Sequence, residues 1–254
     1  MSKETRKRFA KTARLDVQFG KSDMEYLDIF PAQKPGAPVY VFIHGGYWYS
    51  LDKSDYSYVA EGLYPHDIST VVINHDLAPN VSMTEIVRQN RAAFTWVMQH
   101  ASEFNGDGDR IVSGGHSAGG QLLAMVMAAE WKKSAGIPRD LVKGGCAISG
   151  IFDLVPVQRS YLNKTLNMSA TEAEENSPLR LDYDYPAPLL LISGEQESEE
   201  YERQTYEMHG YWSGLGFQSE IQVGRNLNHF NIVDQLVDPQ SEFVTSQLEF
   251  FSLI

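Results

Sequence analysis

The sequence predicts an α/β fold, with a mostly parallel central sheet, helices on both faces and a small cap inserted late in the chain. Three observations predict it. Short apolar, β-rich runs alternate with segments of helical periodicity. Hydrophobic residues are 43% of the 254, enough to bury a large core. No repeat or low-complexity linker divides the chain, so residues 1–254 read as one domain.

The elements follow in order. Residues 15–19 and 24–29 would form an antiparallel start to the sheet. Residues 39–43 come straight after Pro35-Gly36-Ala37-Pro38, a breaker cluster that opens a strand. Residues 70–73 form another strand, and residues 85–104 a helix with Ile86, Ala93, Trp96 and Val97 at helical spacing. Residues 110–113 are a strand and residues 118–133 a strongly helical run. Residues 143–149 and 188–192 are further buried strands, residues 201–211 are helical, residues 219–223 are the last strand, and residues 239–251 a closing helix. Residues 153–185 break the alternation: they are polar, rich in Asn, Glu and Tyr, and hold Ser177-Pro178-Leu179. Long connections in compact domains are often lids or binding loops, so this segment is expected to cap the site.

Charge and cysteine content narrow the partners. With 21 Lys+Arg against 33 Asp+Glu, the formal net charge is −12. Such a surface repels phosphate backbones, which argues against nucleic acid. A lone cysteine, Cys146, allows no internal disulfide and sits in an apolar segment as a core thiol. No segment reaches the roughly 18 apolar residues of a membrane span, and the charged start lacks the apolar stretch of a signal peptide. The expectation is a cytoplasmic protein with a small-molecule substrate and no membrane partner. The oligomeric state stays open, a homodimer included.

The chemistry centres on Gly115-His116-Ser117-Ala118-Gly119, a G-x-S-x-G sequence between the strand at 110–113 and the helix from 118. In strand–turn–helix context this motif presents a nucleophilic serine above a sheet edge, with a helix N-terminus behind it that favours developing negative charge. His44-Gly45-Gly46-Tyr47-Trp48 follows the strand at 39–43. There the backbone amides of Gly45 and Gly46, with that of Ala118, could point at an oxyanion. His44 precedes the serine and is read as bracing the loop. In the α/β-hydrolase fold, whose chain order is Ser, acid, His, the base lies late. His229, in the loop after the last strand, fits better than His209, which falls in a helical run. The acid should follow the strand at 188–192, where Glu195 and Glu197 both qualify by position. Tyr47, Trp48, Tyr49, Phe152 and Tyr161 could supply aromatic walls for a substrate. Nothing in this chemistry requires a metal or organic cofactor.

Together these residues resemble the kynurenine formamidase (arylformamidase) group of α/β hydrolases, from about the strand before His44 to the end of the chain. The most specific piece is His44-Gly45-Gly46-Tyr47-Trp48, since most related esterases carry a third glycine where Tyr47 stands. Asp76-Leu77-Ala78-Pro79, Gly115-His116-Ser117-Ala118-Gly119-Gly120, Ser149-Gly150-Ile151-Phe152-Asp153-Leu154, Ser177-Pro178-Leu179 and His229-Phe230 also match. The family's acid loop usually reads Asp-Ser-Pro-Glu-Phe, then Arg-Gln. The aligned stretch is Glu197-Ser198-Glu199-Glu200-Tyr201, with Arg203-Gln204 following. The resemblance therefore selects Glu197, with glutamate in place of the usual aspartate and the proline missing. It implies a serine hydrolase that removes a small acyl group from an aromatic amide, N-formyl-L-kynurenine first. General short-chain ester hydrolysis is the alternative, and a non-catalytic binding protein on the same scaffold a more distant one.

Overall fold

A computed structural model describes residues 1–129, 131–133, 136–185 and 187–252. Eight strands form one sheet: β1 (Arg14–Gln18), β2 (Tyr26–Phe30), β3 (Ala37–Ile43), β4 (Ser69–Ile73), β5 (Gly106–His116), β6 (Val142–Ile148), β7 (Leu189–Gly194) and β8 (Ser219–Gly224). Their spatial order is β1-β2-β4-β3-β5-β6-β7-β8. The β1–β2 and β2–β4 pairs are antiparallel, and from β4 onward every pair is parallel. The antiparallel start and parallel body match the fold class read from the sequence.

A parallel sheet covered on both faces needs strands that are apolar on both sides. β3 meets this need by simple alternation. Val39, Val41 and Ile43 enter one core with Val71, Ile73, Phe94 and Leu122. Tyr40 and Phe42 enter the other with Phe30, Tyr56, Ile148 and Ile192. Burying each of these aliphatic side chains contributes roughly 1.5–3 kcal/mol. Helices α1 (Ser2–Arg8), α2 (Val59–Leu63), α3 (Met83–His100), α4 (Ala118–Met127), α5 (Val155–Gln158), α6 (Asn163–Leu166), α7 (Ala170–Glu175), α8 (Glu199–Gly214) and α9 (Glu242–Ser252) complete the chain. The first core takes side chains from α3, α4 and α8, and the second from α2 and α9.

Helix α3 follows its sequence signals. Ser82 caps it by accepting from the Glu85 N–H at 3.2 Å, and Met83, Ile86, Val87, Ala93, Phe94 and Val97 form the buried stripe. It ends at His100, and a 3-10 turn over Ala101–Phe104 finishes the run expected to be helical throughout. Helix α4 is shorter than the expected 118–133, because the chain leaves it at Met127. The Ala129 N–H turns back to the Val126 carbonyl, and Trp131 is buried in the core. Burying that indole overrides the helical propensity of the run. Part of the expected helix, at 130 and 134–135, lies outside the described residues. The 153–185 segment folds as α5, α6, α7 and a 3-10 turn at Pro178–Arg180. Gln204 of α8 fastens it, its Oε1 accepting from the N–H groups of Phe152 (2.6 Å) and Asp153 (2.8 Å). Among the described residues, no helix is long and apolar enough to cross a membrane.

A buried charge cluster anchors the N-terminal end. The Lys53 ammonium lies 2.7 Å from Asp28 Oδ1 and 2.6 Å from Asp16 Oδ1, over the Tyr26 ring. Asp28 is fully buried and also pairs with Arg6 and accepts from the Asp16 N–H. These contacts tie α1, β1 and β2 to the turn that leaves the glycine loop after β3. Removing one member of such a cluster leaves a buried charge undercompensated. Lys53→Met is therefore expected to lower unfolding free energy by about 3 kcal/mol. Urea unfolding followed by far-UV circular dichroism checks this, and an unshifted midpoint refutes it.

Candidate active site

Ser117 stands on the turn between β5 and α4 with φ 57° and ψ −117°, a backbone region that residues with a Cβ avoid. Two contacts hold the turn there. The Ser117 N–H donates to the Ile148 carbonyl on β6 at 2.8 Å. The helix that follows crosses β3 so closely that a Cβ at Gly119 would lie 2.1 Å from the Ile43 carbonyl oxygen. Only glycine permits that approach, which explains the small residue after Ala118 in the motif.

His229 arrives from the loop after β8. Asn228 shapes this loop, its Oδ1 accepting from the N–H groups of Phe230 and Asn231. The His229 Nε2 lies 3.0 Å from Ser117 Oγ and its Nδ1 2.7 Å from Glu197 Oε1. Nδ1–H must donate to the carboxylate, so Nε2 is the lone-pair nitrogen that accepts from the serine hydroxyl. The other carboxylate oxygen, Oε2, accepts from Ser149 Oγ at 2.9 Å and from the Gly194 N–H at 2.8 Å. Both oxygens are thus committed, and the side chain is almost wholly buried. Glu195 is turned elsewhere: its Oε2 accepts from the Asn226 N–H at 2.8 Å and braces the turn after β8. The structure therefore brings Ser117, His229 and Glu197 together and leaves Glu195 out.

The glycine loop lies against Ser117. A Cβ placed on Gly45 would come within 3.2 Å of Ser117 Cβ. Gly46 has φ 117°, and its carbonyl accepts from the Ser50 N–H and hydroxyl at 3.0 and 2.8 Å. A side chain there would be strained and would strike the Ser50 backbone. Ala118 is the first residue of α4, so its N–H is one of the donors without a partner inside the helix. Beneath the loop, His44 Nδ1–H donates to the Gly45 carbonyl at 2.7 Å, and its ring stacks on His75 with centroids 4.5 Å apart. His44 is thus a brace, buried away from the serine hydroxyl.

The aromatic residues expected to wall a substrate divide. Trp48 is buried and donates from Nε1 to Gln121 Oε1 at 2.9 Å, and Phe152 has no exposed surface. Their placement in the substrate wall is corrected: both rings belong to the core, where indole and phenyl area is worth most. Tyr47 and Tyr161 do line a groove of about 320 Å3, together with Ile151, Val157, Leu162 and Tyr201. Tyr47 and Tyr201 join it to the serine: Tyr201 Oη lies 3.4 Å from His229 Nε2 and 3.2 Å from Tyr47 Oη. The Ser117, His229 and Glu197 side chains line neither this groove nor a larger cavity of about 630 Å3 near Arg88, Arg91 and Asp182, but the groove reaches the imidazole through Tyr201. Part of the 153–185 segment, through Val157, Tyr161 and Leu162, forms one wall of the groove beside the serine.

Sequence reasoning missed four residues here. Ser149 fixes Glu197, and Tyr201 faces the imidazole, its position four after Glu197 being the available signal. Phe230 is 81% exposed with its ring edge against His229. His116 ties the two halves together, its Nε2–H donating to the His229 carbonyl at 2.9 Å. Burial, followed by the neighbouring His229, pushes the His116 pKa down to about 3, and burial followed by His44 does the same to His75. Both rings are therefore neutral in the folded protein near pH 7.

The BD-FAE family model matches residues 27–209. A kynurenine formamidase from Salmo salar is 30% identical over 240 residues, covering 88% of this chain and 77% of that protein. Among solved structures, a thioesterase candidate from Silicibacter sp. TM1040 superposes with a TM-score of 0.86 at 29% identity, covering 96% of this chain and 88% of that one. An inhibited esterase B from Lactobacillus rhamnosis superposes at 0.80 with 17% identity, covering 99% and 92%, and so shares the fold.

The neutral buried imidazoles carry a pH prediction. Unfolded, His75 and His116 take up protons near pH 6.5, whereas folded they do so only near pH 3. The unfolded chain binds more protons between those values, so stability falls as pH drops below 6.5. From pH 7 to pH 5 each is expected to remove about 2 kcal/mol. Urea midpoints across this range check it. His116→Asn should flatten the slope, and an identical slope in that variant refutes the assignment.

Proposed function

The chain belongs to the BD-FAE family of α/β hydrolases, and on that premise we propose that it is a serine hydrolase that removes a formyl group from an aromatic amine, with N-formyl-L-kynurenine as the first substrate to test. The observation that carries the reading is the unbroken line of hydrogen bonds from Ser117 Oγ through His229 to Glu197, at 3.0 and 2.7 Å, with Tyr201 linking the imidazole to a groove with aromatic walls. The name of the Salmo salar relative supports the substrate.

In this reading Ser117 Oγ attacks the formyl carbonyl while its proton passes to His229 Nε2. Glu197 holds the imidazole in the tautomer that can accept, and offsets the charge of the imidazolium. The carbonyl oxygen becomes an oxyanion facing the amides of Gly45, Gly46 and Ala118, each such donor being worth about 2.7–4 kcal/mol of transition-state stabilisation. The imidazolium returns its proton to the leaving nitrogen, the C–N bond breaks, and the arylamine departs. Water, deprotonated by His229, then cleaves the formyl-serine ester and releases formate. A formyl group needs little room on the acyl side, whereas the apolar groove suits the aryl group.

A second reading has its own support, because esterase B shares the fold and the groove would also take the alcohol part of an ester. General short-chain carboxylesterase activity is that alternative. A panel of N-formylkynurenine, phenyl acetate and phenyl butyrate separates the two. The formamidase reading expects the highest kcat/KM on the formamide, and a preference for butyrate overturns it.

Ser117→Ala is expected to leave the fold intact and to lower kcat by about 10^4-fold or more. Glu197→Gln, which can no longer hold the imidazolium, is expected to lower it by about 10^4-fold. Steady-state rates on the best panel substrate, with circular dichroism to verify folding, check both. Undiminished turnover by Ser117→Ala refutes the nucleophile.

A further inference from the structure

We propose that the Tyr201 hydroxyl is a specificity-determining group that accepts the N–H of an amide leaving group, and so tilts this site toward amides over esters of the same acyl group. This rests on the acyl-serine reading above.

Position comes first. Ser117 Oγ lies 3.0 Å from His229 Nε2 and Tyr201 Oη 3.4 Å from the same nitrogen. Whatever leaves the tetrahedral intermediate must take its proton from that Nε2, at hydrogen-bond distance. The leaving atom is thus bonded to the carbon that Ser117 attacks and lies next to Nε2, which puts it beside Tyr201 Oη. The phenol is held there by its ring, tilted against the His229 imidazole with centroids 4.4 Å apart, and by its place in the first turn of α8.

Proton bookkeeping then separates the two substrate classes. An ester leaving oxygen carries no hydrogen and needs only the proton from His229. The leaving nitrogen of a secondary amide carries one hydrogen of its own. As the nitrogen pyramidalises to receive the imidazolium proton in its lone pair, that N–H turns away from the imidazole and needs an acceptor of its own. A hydrogen-bond donor left without an acceptor at that point disfavours the transition state. Tyr201 Oη can receive it, provided its own proton points elsewhere. Tyr47 Oη supplies that acceptor, 3.2 Å away. The order is substrate N–H to Tyr201 Oη, and Tyr201 O–H to Tyr47 Oη, with Nε2–H given to the nitrogen lone pair. No proton is gained or lost in the phenol pair. Burial raises the Tyr201 pKa above its ordinary value, so the hydroxyl keeps its proton during the reaction.

The test uses the intact protein with 4-nitroformanilide against 4-nitrophenyl formate, and 4-nitroacetanilide against 4-nitrophenyl acetate. Tyr201→Phe keeps the ring against His229 and removes the acceptor. It is expected to lower kcat/KM for each anilide at least tenfold more than for its matched ester. Tyr47→Phe should shift the ratio in the same direction by a smaller factor, because Tyr201 then loses the acceptor for its proton. If anilide and ester fall in parallel in Tyr201→Phe, or the ratio does not move, the assignment is overturned while the hydrolase reading stands. Wild-type protein that cleaves the esters and neither anilide overturns the amide reading and this assignment with it.

Discussion

The molecule is organised around the backbone turn at Ser117. A residue with a Cβ is held at φ 57° in a region it would otherwise avoid, at a cost of about 1–3 kcal/mol that the surrounding structure must offset. The offset is visible in the packing. The Ser117 N–H is taken by β6, Gly119 lies against the β3 carbonyls, and β5 is paired on both sides in the middle of the sheet. Relaxing this turn would lower the hydroxyl toward the sheet and part it from the imidazole. The small residues of the motif, the two flanking parallel strands and the helix behind the serine are consequences of that one constraint.

Around the turn, hydrogen bonds satisfy one buried carboxylate, and burial favours the neutral form of the neighbouring imidazoles. Glu197 is buried, yet its two oxygens accept three hydrogen bonds, from His229, Ser149 and the Gly194 amide. A buried carboxylate is tolerable only when satisfied in this way. The extra methylene of a glutamate, relative to an aspartate, is taken up by the short turn in which the Glu197 N–H returns to the Gly194 carbonyl. His116, His44 and His75 each donate from one ring nitrogen to a backbone carbonyl, and burial lowers the pKa of all three. They act as rigid polar braces between the serine turn, the glycine loop and the His229 loop.

The groove is assembled from parts that share no secondary-structure element. Tyr47 comes from the glycine loop, Ile151 from the turn after β6, Val157 to Leu162 from the inserted segment, and Tyr201 from α8. Gln204 ties the start of the insertion to α8, and Gln121 ties Trp48 to the Asn176 carbonyl at the far end of the insertion. The core thus holds the inserted segment at both ends, and the groove's shape is set by the packing of α8 and α4. That coupling is why the buried Trp48 and Phe152 matter to the site without lining it.

Local pattern is what the order of residues encodes most directly. Alternation of buried strands with amphipathic helices is a period of two against a period near 3.6, and both are legible within a dozen residues. The serine turn, the glycine loop and the late histidine were readable because each needs a particular residue type at a fixed place relative to one strand. The remaining features depend on packing between segments far apart in the chain. Glu195 and Glu197 differ by two positions on one loop, and what separates them is which carboxylate meets His229, 32 residues further on in sequence. The early end of α4, the burial of Trp48 and Phe152 and the entry of Tyr201 beside the imidazole are likewise outcomes of distant packing. Side-chain direction in a loop depends on what the rest of the chain leaves room for, and no local periodicity encodes that.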